Sequence, residues 1–132
     1  MKSDIEIKTD VFNRIKGSDL EGEVTGVVRK TGKRPLNSRN EDIIITMLAN
    51  QNGQTQTATV NVNIYVAANV VKGQAEEATT RLKRLCQLSS KLFDVFWGKG
   101  YRCRLLEQRV YEVEGADEYV INNKIEYKQN NE

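Results

Sequence analysis

The stretch Thr57–Val66, TATVNVNIYV, decides how the chain folds. Ala58, Val60, Val62, Ile64 and Val66 share one face, and Thr57, Thr59, Asn61, Asn63 and Tyr65 share the other. A strict period of two marks a strand with one buried face, because successive side chains project to opposite sides of the pleat. The run holds neither Gly nor Pro, so nothing in it prevents pairing along both edges. Asn is depleted in strands, yet the polar face carries Asn61 and Asn63 ahead of a tyrosine. That face looks either at solvent or at another molecule, which makes Asn61, Asn63 and Tyr65 candidate subunit-interface residues.

Toward the N-terminus, Gln51–Gln56 contains Asn52-Gly53, a strong hairpin signal. Asp42–Asn50 before it reads as a strand, with Ile43 and Ile45 on one side and Ile44 and Thr46 on the other. Thr31–Asn40, TGKRPLNSRN, is a loop by its Gly, Pro, Asn and Ser content. Val24–Lys30 reads as a strand on the loop's far side, so the flanking strands are expected to pair antiparallel and open a meander. Ser3 and Glu6 have capping-box spacing ahead of Ile7, Val11 and Ile15, which predicts a helix over Asp4–Lys16 stopped by Gly17. Gly17–Asp19 reads as a turn.

Toward the C-terminus, Ala67–Gly73 is a connection and the period then becomes helical. Ala75, Ala78, Leu82, Leu85, Ser89, Leu92 and Phe96 form one stripe, which predicts a long helix over Gln74–Phe96. Glu77 and Arg81 stand as a favourable i,i+4 pair on its polar side. Gly98 and Gly100 end the helix. Tyr101–Glu114, where Cys103, Leu105, Glu107 and Arg109 alternate against Leu106 and Val110 gives a second phase that a bulge would allow, and Tyr119–Lys128 then read as strands joined by a turn at Gly115–Asp117. Residues 128–132 are expected to fray. The order α-β-β-β-α-β-β predicts one α+β domain over residues 1–132. Its antiparallel sheet has about five strands, with a short N-terminal helix and one long helix packed over the face of Ala58–Val66.

With 132 residues, 39% hydrophobic and 29% charged, the chain has a modest core, suited to a small monomer or to a subunit that gains burial on assembly. The sequence has no histidine, and its two cysteines, Cys86 and Cys103, lie in different elements. Zinc sites of His and Cys and Ser-His-Asp chemistry are thereby excluded, and the cysteines read as free thiols. Gly98-Lys99-Gly100 lacks the spacing of a phosphate loop. The acidic pairs Glu41-Asp42, Glu76-Glu77 and Asp117-Glu118 stand at loop or helix starts, where acids are common. No catalytic residue, metal site or cofactor site is expected. No apolar span is long enough for a membrane, and the N-terminus lacks a signal-peptide core, so the expected location is the cytoplasm or a particle assembled there.

The sharper signal is basic. Arg29, Lys30, Lys33, Arg34 and Arg39 precede any acidic residue until Glu41. Such a loop meets nucleic-acid phosphates, faces an acidic patch on a neighbouring subunit, or is simply solvated. Aromatic residues for base stacking are absent from it, so any DNA contact there is nonspecific and phosphate-directed. Trp97 lies beside Phe93 and Phe96 but off the main stripe, which makes it a candidate interface anchor.

The N-terminal helix, GVVRKTGKRPLNSRNEDIIITML, the NVNIYV strand, the long helix and the closing INNKIEY together resemble small head-to-tail joining proteins of tailed bacteriophages. The nearest group is the tail terminator or tail completion proteins, of the kind a prophage encodes. The resemblance implies a non-catalytic α+β subunit that forms a homo-oligomeric ring, commonly a hexamer. Such a ring caps the tail tube and offers a surface to the head connector. The basic loop around Arg34 would then point to the lumen or to the next subunit. The leading expectation is a structural assembly protein of a phage tail or neck, a virion component. The alternative is a small nucleic-acid-binding module acting through residues 29–39.

Overall fold

The computed structural model describes residues 1–130. Helix α1 spans Asp4–Ile15. Its start follows from the capping box: the Ser3 side chain accepts from the Glu6 N–H, and the Glu6 carboxylate accepts from the Ser3 N–H. Ile7, Val11 and Ile15 are wholly buried. A short helix α2, Asp19–Glu23, follows where a turn and the approach to a strand were expected. The reason is a second Ser-x-x-Glu, since Ser18 caps the Glu21 N–H and Glu21 accepts from the Gly17 N–H. Gly17 takes φ +79° between the two helices, a conformation that favours glycine.

Strand β1 is reduced to Val28–Arg29, because Val24 is spent closing α2 through its N–H to Leu20. β2 runs Ile43–Gln51 and β3 runs Thr55–Ala67, joined at Asn52–Gln54. β1 pairs parallel with β2, Val28 beside Ile43 and Arg29 beside Ile44, so the expected antiparallel hairpin around the basic loop is incorrect. Residues 30–42 form a crossover, which a parallel pair requires.

The predicted Gln74–Phe96 helix is also corrected. Its first residues form β5, Gln74–Glu76, paired with β4, Asn69–Val71, across a tight turn. Lys72 and Gly73 both have positive φ there, as a two-residue type I′ turn demands. Helix α3 occupies only Thr79–Phe93. β6, Val95–Gly98, turns back through Lys99-Gly100 onto β7, Tyr101–Val113, so the glycines make a hairpin rather than stop a helix. β7 carries a bulge between Leu105 and Glu107. β8 spans Glu118–Asn130, and Lys128, Gln129 and Asn130 pair with β3 instead of fraying. The rest of that expectation, residues 131–132, lies outside the described residues.

The architecture is therefore α+β with three helices and eight strands among the described residues, in place of a five-strand, two-helix arrangement. Six strands form a mixed sheet ordered β1-β2-β3-β8-β7-β6, and β4-β5 form a separate ribbon. β3 sits centrally and pairs with β8 from Thr55–Asn130 to Ala67–Glu118. Its inner row, Ala58 to Val66, lies in one core cluster with Ile7, Val11, Leu20, Leu82, Leu85 and Phe93. Both longer helices thus cover the same sheet face. Burying each Val or Ile of that row contributes about 1.5–3 kcal/mol.

Candidate functional site

The sheet face opposite the helices collects the polar and charged side chains. Cross-strand register sets them in rows. Arg109, Asn122, Asn63 and Ile44 lie in one row that continues to Arg29. Glu107, Lys124, Asn61 and Thr46 form the next. Beyond these come Arg104, Glu126 and Thr59, and then Trp97, Arg102, Lys128 and Thr57. Asn61 and Asn63 are tied within the chain, because the Asn122 amide donates to both at 3.2 and 2.7 Å. The bulge of β7 keeps this face continuous, since the residue gained at Leu106 restores Glu107 and Arg109 to the side of Arg102 and Arg104.

Two carboxylates on the face are each shared by cations. Glu126 binds Arg104 at 3.0 Å and Lys128 at 3.7 Å, while Glu107 lies 3.6 Å from Arg109 and 4.0 Å from Lys124. The hydrogen bond from Arg104, ahead of the other charges, holds Glu126 below the usual carboxylate range. Cations remain in excess, because Arg102 has no ion pair among the described residues. Trp97 stands exposed beside it, and the two help line an open cleft of about 860 Å³ with Tyr101, Lys128 and Asn130.

The basic loop is not one patch. The Arg34 guanidinium turns inward: it donates to Asp42 Oδ2 at 2.9 Å and to both Glu118 oxygens at 2.9 and 3.0 Å. It also donates to the Asn40 carbonyl and lies 4.3 Å from the centre of the Tyr65 ring. Tyr65 is therefore part of this clamp. Lys30 reaches the helical side, donating to Thr9 and lying over Phe12. Arg29, Lys33 and Arg39 are exposed, without ion pairs among the described residues. The sequence placed these cations together; the fold sends them to three separate surroundings.

Another ion cluster joins the helices to the crossover. Arg81 binds Glu41 through Nε at 2.7 Å and Nη2 at 2.6 Å, and donates to the Glu23 carbonyl. It does not partner Glu77, which precedes α3. Among buried titratable groups, Tyr127 donates to Asp10 at 2.7 Å, and Lys2 binds the same Asp10 at 2.7 Å. Burial, then Asp10, pushes the Tyr127 phenol upward. Cys86 and Cys103 are free. Among the described residues no cluster of His, Cys, Asp and Glu is able to hold a metal ion, and no helix is long and apolar enough to cross a membrane. The charged rows of β7 and β8 escaped the sequence reading, although Arg102, Arg104, Lys124 and Lys128 at alternating positions were a visible signal.

No protein-family model matches the chain, and no curated protein matches it. A solved structure does. A chain of the virion of a native gene transfer agent particle aligns with a TM-score of 0.55 and 14% identity, covering 95% of this chain and 95% of that one. At that identity the likeness is one of fold, and this protein shares its fold, nearly from end to end, with a chain of a gene transfer agent virion.

Proposed function

We propose that the protein is a structural assembly component of a phage-like particle, a single-domain subunit that forms a homo-oligomeric ring at the end of the tail tube. The observation that carries this reading is the fold likeness to a virion chain over 95% of both partners. The exposed edge strands β1 and β6 support it too, because closing subunits into a ring protects such edges. On this reading the partners are further copies of the chain, the tail-tube subunit on one side and the head connector on the other. Rings of the family that the chain resembles are commonly hexamers.

Light scattering on the purified chain, followed by electron microscopy in the presence of tail tubes, tests it. Rings at tube ends are the expected result. A chain that neither self-associates nor binds tubes overturns the reading. The nucleic-acid alternative loses ground because Arg34, its central residue, is engaged by Asp42 and Glu118.

A further inference from the structure

Charge is divided between the two ends of the sheet. At one end stand Glu76, Glu77, Glu112, Glu114 and Asp117, all exposed and none in an ion pair among the described residues. They are drawn together by the fold. The Ala68 N–H donates to the Asp117 carbonyl at 2.9 Å, tying the base of the β4–β5 ribbon to the β7–β8 turn. Tyr119 donates to Glu112 at 3.3 Å. Burial, then Glu112, raises the Tyr119 phenol, with Glu77 and Glu76 adding. The ribbon also presents Val70, 60% exposed, and Val71.

At the other end stand Lys99, Arg102, Arg104 and Lys128, with Glu126 as the carboxylate in their midst. Beside them edge strand β6 presents Trp97, 69% exposed, and Val95. β7 runs the whole way between the two ends, a span of about 40 Å at the usual rise of a strand. Each end therefore pairs an exposed apolar anchor with a cluster in which one sign predominates, negative at the first despite Lys72 in the ribbon turn and positive at the second despite Glu126. Carboxylates that outnumber the cations near them repel one another, and a cationic surface docked on them relieves that repulsion.

We propose that the acidic end, with its β4–β5 ribbon, docks against the basic end and Trp97 of a second copy of this chain. The contact joins different surfaces of identical subunits, so it repeats head to tail and generates a ring when the rotation closes. It rests on the ring reading above and names the surfaces that make it. Trp97 is the central anchor, and the charges set direction and exclude tail-to-tail or head-to-head pairing.

Charge reversal tests the contact at exposed residues that make no ion pair within the chain. One variant carries Lys99→Glu and Arg102→Glu, the other Glu76→Lys and Glu77→Lys. Light scattering is read for the wild type, each variant and an equimolar mixture, with circular dichroism confirming that each variant folds. The wild type is expected to associate, each variant alone to fall to the 15.0 kDa of one chain, and the mixture to regain the assembled mass. Recovery on mixing follows because each variant then meets an opposite charge at both of its ends. If the wild type associates and neither variant changes the mass, the end-to-end contact is wrong while the ring reading stands. A wild type that stays at one chain's mass up to millimolar concentration overturns the contact, and the ring reading falls with it only if the chain also fails to bind tube ends. If Lys99→Glu with Arg102→Glu leaves the assembly intact but removes binding to duplex DNA, the basic end serves a nucleic acid and the contact is again wrong.

Discussion

Arg34 and Glu118 lie 84 positions apart and meet through two parallel hydrogen bonds, Nη1 to Oε1 at 2.9 Å and Nη2 to Oε2 at 3.0 Å. Asp42 takes Nε of the same guanidinium, so one cation joins the crossover, the start of β2 and the start of β8. Asp42 is 1% exposed and Glu118 is 3% exposed, so neither carboxylate has water to fall back on.

Replacing Arg34 by Met therefore strands two buried carboxylates. The expected loss is about 3–5 kcal/mol, the usual cost of breaking a buried pair from one side. Arg34→Lys recovers only part of it, because an ammonium lacks the planar fork that serves Asp42 and Glu118 together. Urea unfolding of the two variants checks the order. Equal stability in wild type and Arg34→Met would show the clamp to be energetically idle.

Acid acts on the same cluster. Burial raises the Asp42 pKa, but the bonds from Ser38, the Val27 N–H and Arg34 outweigh it, and the group ends below its ordinary 3.8. The native state thus binds this proton less tightly than the unfolded chain does. Its stabilisation is complete above the unfolded value and is lost as pH falls through the folded one. The urea midpoint is expected to hold between about pH 7 and 5 and to drop below about pH 4, with a shallower drop in Asp42→Asn. A midpoint unchanged down to pH 3 contradicts this.

Gly98 has no room for a side chain. A Cβ there would meet the Tyr101 ring, which is stacked on Tyr127 with centroids 4.9 Å apart and lies under the Lys2 ammonium. Because that ring is held from two sides, Gly98→Ala is expected to cost about 1–3 kcal/mol, as overpacking usually does. Gly115→Ala is a different case: nothing surrounds its Cβ position, and strain at φ +77° is the source of any loss. Chemical denaturation followed by Trp97 fluorescence separates the two.

The two thiols should differ in reactivity. Burial, then Asp10, pushes Cys103 up to about 12, and the residue is 1% exposed. Cys86 is half-buried, raised by burial alone. A disulfide reagent at pH 8 is expected to modify Cys86 slowly and Cys103 only at the rate of unfolding, as peptide mass spectrometry would reveal. Rapid labelling of Cys103 in native protein would mean that the β6–β7 region opens locally.

What the chain wrote locally was readable. Ser3 and Glu6 are three residues apart, and their reciprocal bonds start α1 where the sequence said. The alternation from Thr57 to Val66 needs only the pleat of its own strand, and β3 follows it without a break. The Ser18–Glu21 box and the Lys72-Gly73 turn were equally local, yet the first was read only as a turn over Gly17–Asp19 and the second only as part of the Ala67–Gly73 connection.

The direction of β1 against β2, the fate of Arg34 and the meeting of the β4–β5 ribbon with the β7–β8 turn had no local signature. Parallel pairing of Val28 with Ile43 depends on how residues 30–42 cross the sheet. Arg34 is a clamp because β8 returns Glu118 beside β3, and a list of neighbouring cations carries no trace of that. Sequence by itself determined which faces are apolar and where the first helix starts, since side-chain period and capping act within a few residues. Tertiary structure alone decided which charges meet, because burial and pairing are set between residues whose separation along the chain says nothing about their separation in space.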